Sequence, residues 1–239
     1  MDLTAIIDHL VEDVERLTFS SPVAFVYNPL LYARAPLQAY VDRYARQGAT
    51  TLLLGMNPGP FGMAQTGIPF GAVDAVRRWL EIEEAVDLPP ATHPKRPIEG
   101  FGCQREEVSG RRLWSWAREH WGTPDRFFED FFVWNYCPLL FLEASGRNLT
   151  PDKLKADERR ALLVPCDAAL RSVATELEIK QVVGVGAWAE RRAQAALSDL
   201  DLPVGRVLHP SPASPIANRG WAEQATRQLR EQGLPVPGG

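Results

Sequence analysis

Short apolar runs that hand over to helical patterns constrain this chain more than any other feature. There are four: Thr50-Thr51-Leu52-Leu53-Leu54, Phe131-Phe132-Val133-Trp134, Gln181-Val182-Val183-Gly184-Val185-Gly186 and Val204-Gly205-Arg206-Val207-Leu208. Short apolar strands alternating with helices argue a parallel sheet covered on both faces. The helices read as follows. Residues 4–17 repeat Ile6, Ile7, Leu10, Val11, Val14 and Leu17 at helical spacing. Pro36 starts a second helix, 72–81 a third, and 110–120 a fourth, with Leu113, Trp114 and Trp116 partly buried and Arg111, Arg112 and Arg118 exposed. Thr150 reads as an N-cap and Pro151 as the first position of a helix running towards Glu176. The last two start at Ala187 and near Gly220. Phe25-Val26-Tyr27-Asn28-Pro29 reads as irregular, and 87–110 as a proline-broken excursion carrying Lys95, Arg96 and Arg105 as part of a basic rim. No repeat and no linker divides the chain, so 1–239 reads as one domain.

Composition narrows the function classes. The net charge of -4 makes non-specific attraction to nucleic acid or an anionic membrane weak, so a nucleic-acid site needs a local basic patch. The N-terminus, Met1-Asp2-Leu3-Thr4, is acidic where a signal peptide is basic, and no run approaches a membrane span, which predicts an intracellular protein. Cys103, Cys137 and Cys166 form no C-x-x-C pair, so they read as buried reduced thiols rather than metal ligands. Without heptads or an apolar strip, the chain is read as a monomer.

The first strand delivers the chain into Leu54-Gly55-Met56-Asn57-Pro58-Gly59-Pro60-Phe61-Gly62-Met63-Ala64-Gln65-Thr66-Gly67-Ile68-Pro69-Phe70-Gly71. Glycines allow close backbone approach and prolines fix φ, so this loop is shaped before any ligand arrives. It leaves the carboxyl end of a strand, where open α/β sheets keep their ligand sites. Asn135 follows the second strand and His209 the fourth. In a parallel sheet these ends share one edge, so Asn57, Asn135 and His209 converge. The loops contain no carboxylate pair, no Ser-His-Asp order and no metal-ligand cluster, and no cofactor or metal is expected. An amide can read the edge of a planar heterocycle, an aromatic such as Phe70 can stack on its face, and a histidine can donate to an oxygen gaining negative charge.

The stretch from Gly55 to Gly67 resembles the first motif of the single-strand-selective monofunctional uracil-DNA glycosylases. His209-Pro210-Ser211-Pro212, with Asn218-Arg219-Gly220-Trp221 beyond, resembles their second. Asn135-Tyr136-Cys137-Pro138-Leu139, Ser145-Gly146-Arg147-Asn148-Leu149-Thr150-Pro151 and His93-Pro94-Lys95-Arg96-Pro97 are similar to further family stretches, and the likeness runs from about Val23 to the last helix. The resemblance implies an αβα sandwich around a mainly parallel four-stranded sheet. It implies hydrolysis of the N-glycosidic bond of uracil, and of 5-hydroxymethyluracil or other modified bases, in single- and double-stranded DNA, leaving an abasic site. Carried onto matching positions, Asn57 positions the water, His209 stabilises the departing uracil anion, Asn135 reads the base edge, and Phe70 stacks. Met56 and Gly59 line the pocket, Gly59 leaving room for a 5-substituent. Pro210, Ser211, Pro212, Ala213, Ser214 and Pro215 enter the DNA as a wedge. Animal members carry Arg-Asn where this chain has Ala213-Ser214, which implies a stronger preference for single strands.

Two other readings compete. Gly184-Val185-Gly186-Ala187-Trp188-Ala189 matches G-x-G-x-x-A between a strand and a helix, the outline of a dinucleotide-binding oxidoreductase, but no acid ends the next strand. Glycines that let a helix pack closely on the sheet explain it as well. The second is a DNA-lesion binder without catalysis.

Overall fold

The computed structural model describes residues 2–45 and 48–238. In chain order its elements are α1 (Leu3–Glu15), β1 (Val23–Tyr27), α2 (Pro29–Tyr32), α3 (Arg34–Tyr44), β2 (Thr51–Gly55), α4 (Met63–Thr66), α5 (Val73–Arg78), α6 (Val108–Trp121), α7 (Pro124–Asp130) and β3 (Phe131–Asn135). Then come β4 (Leu140–Glu143), β5 (Asn148–Leu149), α8 (Ala156–Glu176), β6 (Gln181–Val185), α9 (Ala187–Ala196), β7 (Val204–Val207) and α10 (Trp221–Glu231).

The four apolar runs form one parallel sheet in the order β3-β2-β6-β7. Every residue of β2 and β3 is buried, so helices cover both faces of the sheet centre. The register sets Gly55 beside Asn135 at the carboxyl ends. Pairing then continues past the strands: Tyr136 N–H donates to Gly55 O and Cys137 N–H to Met56 O, both at 2.9 Å. The loops carrying Asn57 and Asn135 therefore leave the sheet side by side.

A second, three-stranded antiparallel sheet, β1-β4-β5, is absent from the sequence reading. Phe25-Val26-Tyr27 is strand, not irregular chain, because Val26 pairs with Phe141 and Tyr27 with Leu140. That partner lies over a hundred residues away, and no local pattern announces it. Asn148–Leu149, read as part of a turn, pairs with Phe141 and Leu142. The helix expected from Pro151 is also interrupted. Pro151–Lys153 forms a single 3-10 turn, and Thr150 makes no side-chain cap. Leu154 then takes an extended ψ of 155° and buries its side chain, so α8 starts only at Ala156, with Asp157 and Glu158 favourably placed in its first turn.

The aromatics of α6 and α7 pack against one another in the core. Trp114 and Trp116 are fully buried rather than partly so. Both meet Phe127 edge-on, at centroid distances of 5.9 and 6.4 Å, a favourable quadrupole geometry. Arg112, expected to be exposed, is half-buried and points back at the sheet edge. Cys103, Cys137 and Cys166 are free and buried. Among the described residues, no helix is long and apolar enough to cross a membrane.

Candidate active site

The carboxyl edge of the sheet gathers the groups that the sequence singled out. Gly55 ends β2 without a side chain, and the space beside it is already taken. A methyl group there would lie 2.1 Å from Asn135 Oδ1 and 2.7 Å from the Phe70 ring. Asn135 is buried, and its amide donates to Met63 Sδ at 3.1 Å. The Phe70 ring lies 6.2 Å from the His209 ring, centroid to centroid. Asn135 and His209 thus both lie against Phe70 at the strand ends.

Asn57 is half-buried, two residues past the end of β2. Its amide nitrogen donates to Leu139 O at 3.3 Å and weakly to Pro58 O at 3.5 Å. Both bonds use the nitrogen. The carboxamide is therefore oriented by the neighbouring loop, with its oxygen left as the acceptor. Met56 is half-buried one residue earlier.

His209 follows β7, two strands from β2. It comes near Phe70 across β6 because the chain turns after β6 at Gly186, whose φ of +93° suits only glycine. A side chain at Gly186 would lie 3.2 Å from His209 Cβ. The ring's Nδ1 accepts the backbone N–H of Ser211 at 3.0 Å. A nitrogen that accepts carries no proton, so the proton of the neutral ring is on Nε2. Burial pushes the imidazole pKa down to about 4, so the ring is a neutral donor at physiological pH. The Gly184–Ala189 turn is thereby explained. Its first glycine lets the α9 backbone lie on β6, where a methyl would stand 2.2 Å from Glu190 N, and Gly186 makes room for His209.

Phe70 is held in a strained conformation, with a φ of +54° that an aromatic residue rarely adopts. Helix α6 supplies the restraint. The Trp114 indole N–H donates to Phe70 O at 3.0 Å, and Ala72 N–H donates to the same oxygen at 2.7 Å. Gly110 lets α6 approach, since a methyl there would stand 1.9 Å from that oxygen. Glu107 caps α6 through Ser109 N–H at 2.9 Å. Its other carboxyl oxygen fills the space beside Gly59, 2.5 Å from where a methyl would be. The room expected beside Gly59 is therefore bounded by a carboxyl group. Burial raises the pKa of that group, against the pull of the Ser109 and Gly110 N–H donors.

The loop after His209 is braced by α6 as well. Arg112 donates to Pro210 O at 2.9 Å and to Asn218 Oδ1 at 2.8 Å, while Asn218 Nδ2 donates to Pro212 O at 2.8 Å. Ser211 Oγ accepts Ala213 N–H, and Ser211 O accepts Ser214 N–H. Pro210 is buried, Ser211 and Ser214 are half-buried, and Pro212, Ala213 and Pro215 are exposed beside Ile216, an apolar tip 55 % exposed. Glu107, Gly110, Arg112 and Trp114 went unmarked as site residues in the sequence. A glycine in the first turn of a helix, as in Glu107-Val108-Ser109-Gly110, is the one local sign of close packing.

No protein-family model matches the chain. It is 51 % identical over 224 residues to a rat protein named single-strand selective monofunctional uracil-DNA glycosylase, covering 93 % of this chain and 81 % of the rat protein. A bovine protein of the same name is 50 % identical over 227 residues, covering 94 % and 84 %. The chain belongs to the single-strand-selective monofunctional uracil-DNA glycosylase family. Its architecture agrees with a solved structure, that of wild-type Pedobacter heparinus SMUG2. The TM-score is 0.65 at 16 % identity, over 95 % of this chain and 97 % of the other, a likeness of fold alone. The family's αβα fold, expected from the motifs, is the fold observed.

Proposed function

We propose that this chain hydrolyses the N-glycosidic bond of uracil in DNA, inside the cell, and leaves an abasic site. The observation that carries the reading is the tautomer of His209. Ser211 N–H occupies Nδ1, so Nε2 donates, and an uncharged donor aimed at uracil O2 stabilises the base as it leaves with negative charge. Asn135 reads the polar edge of the base, and Phe70 gives its face a stacking platform.

Asn57 has no useful basicity. Bond breaking therefore runs ahead of water attack, and the amide oxygen holds the water that captures the cationic sugar. Its bond to Leu139 O supports this role by aligning the amide before substrate arrives. A base inside the duplex must first leave the stack, at a cost of a few kcal/mol that a single strand largely avoids. The loop 210–218 carries no charged side chain, so it can fill the vacated gap but adds no charge to neutralise the second strand's phosphates, which favours single-stranded substrate. A 5-substituent beside Gly59 meets the Glu107 carboxyl, so hydroxymethyl, which can donate, fits better than methyl.

The test is single-turnover cleavage of an oligonucleotide holding one deoxyuridine. His209→Ala and Asn57→Ala should each lower the rate by about 10²–10³. Near wild-type rates in folded variants would refute these roles.

A further inference from the structure

A chain of net charge -4 needs a local basic patch to hold DNA, and the wedge loop does not supply one. The structure contains a groove of about 440 Å³ between α5, residues 103–107 and the Arg111–Arg118 stretch of α6. It is lined by Arg77, Arg78, Arg105, Arg111 and Arg118, against Asp74, Glu106 and Glu107. Three of the arginines are engaged: Arg77 with Glu83 at 2.8 Å, Arg78 with Asp74 at 3.7 Å and Arg111 with Glu106 at 2.6 Å. Arg105 and Arg118 are exposed, and among the described residues neither is in an ion pair. The Arg105 guanidinium lies over the Phe61 ring, 5.1 Å from its centroid, which fixes the charge at the edge of the Gly59–Gly62 turn.

The groove lies beside the proposed site, because α6 lines the groove and also contacts three segments of the site. Glu107 packs on Gly59 and Gly62, Gly110 and Trp114 on Phe70, and Arg112 on Pro210. Arg111, Ser115 and Arg118 follow one another at spacings of four and three, so they share the helix face turned to the groove.

We infer that this groove is the track for the DNA strand flanking the extruded nucleotide, with Arg105 and Arg118 each neutralising a phosphate. The inference rests on the proposed action on DNA and adds where the strand runs. Sequence-independent grip of this kind comes from guanidinium–phosphate contacts that release counterions, and its signature is salt dependence.

The test is equilibrium binding of a uracil-free single-stranded oligonucleotide, followed by fluorescence anisotropy across a salt series. The proteins compared are wild type, the pair Arg105→Gln/Arg118→Gln and a charge-matched control, Arg160→Gln/Arg227→Gln, on α8 and α10. Each lost phosphate contact should lower the slope of log K against log salt by about 0.7, so the groove pair should lose about 1.4. At 0.1 M salt that slope corresponds to binding weaker by about 25-fold. Wild type with an oligonucleotide made neutral by methylphosphonates should show the salt slope collapse, which checks the readout without any substitution. An unchanged slope in the groove pair overturns the inference, as does an equal loss in the control pair. Because the oligonucleotide carries no uracil, a failure to excise uracil would leave this result standing, and a failure here would leave excision standing.

Discussion

Lowering the pH separates this site from one built on an ordinary histidine. An imidazole with the usual pKa of about 6.5 is about 97 % charged at pH 5, whereas one held at about 4 is about 9 % charged. The cause is burial, and the Ser211 N–H on Nδ1 leaves no acceptor for the second proton. Single-turnover excision at saturating enzyme should therefore change less than about twofold between pH 7.5 and pH 5, with its His209-dependent inflection near 4. The same shift appears in stability. The folded pKa lies below the unfolded one, so the unfolded chain binds more protons at acid pH. The contribution is complete above about pH 6.5 and is lost as pH falls. The loss is about 2 kcal/mol at pH 5 and about 3 kcal/mol by pH 4. Urea unfolding of wild type against His209→Asn isolates it, because the variant lacks the titrating group. An NMR titration placing His209 near 6.5, or a wild-type stability that tracks the variant between pH 7 and pH 5, would refute the reasoning.

Other perturbations test the scaffold around the pocket. Gly110→Ala drives a methyl into Phe70 O and should cost more than about 2 kcal/mol in urea unfolding, with a larger fall in kcat/KM than Trp114→Phe produces. Trp114→Phe deletes one hydrogen bond to Phe70 O, while Ala72 N–H keeps the other, so the bond itself should cost about 1 kcal/mol, with the cavity left by the smaller ring adding to it. Arg112→Gln frees the loop 210–218 and should lower excision from duplex by at least about fivefold more than from single strands, since only the duplex needs its gap filled; equal losses on both would contradict this. Glu107→Leu should narrow the preference for 5-hydroxymethyluracil over thymine, measured as a ratio of kcat/KM values, and an unchanged ratio would remove Glu107 from the pocket wall.

The parallel sheet was legible because burial on both faces writes itself into a strand as an unbroken apolar run. Leu52-Leu53-Leu54 and Phe131-Phe132-Val133-Trp134 are of that kind. Their carboxyl ends then located Asn57, Asn135 and His209 on one edge. The second sheet was not legible. Strand β1 ends at Tyr27, immediately before Asn28-Pro29, whose turn chemistry serves the N-terminus of α2 instead: Asn28 Oδ1 accepts Leu30 N–H. Strands β4 and β5 follow Pro138 and Gly146 closely and are four and two residues long. The helix α6 was predicted, but its service to the site was not. Gly110, Trp114 and Arg112 act through Phe70 O, Pro210 O and Asn218, contacts between segments 40 to 106 residues apart. At Gly59 the sequence showed the missing side chain but not the Glu107 carboxyl that bounds the space beside it, because Glu107 arrives from a segment almost fifty residues away.

The most direct test of the central claim is a gel assay with an end-labelled oligonucleotide holding one deoxyuridine, single-stranded or paired with G or A, run with and without alkali. The account predicts strand scission only after alkali, fastest on the single strand. An intact strand after alkali on every uracil substrate, from folded protein, would contradict it, as would scission without alkali.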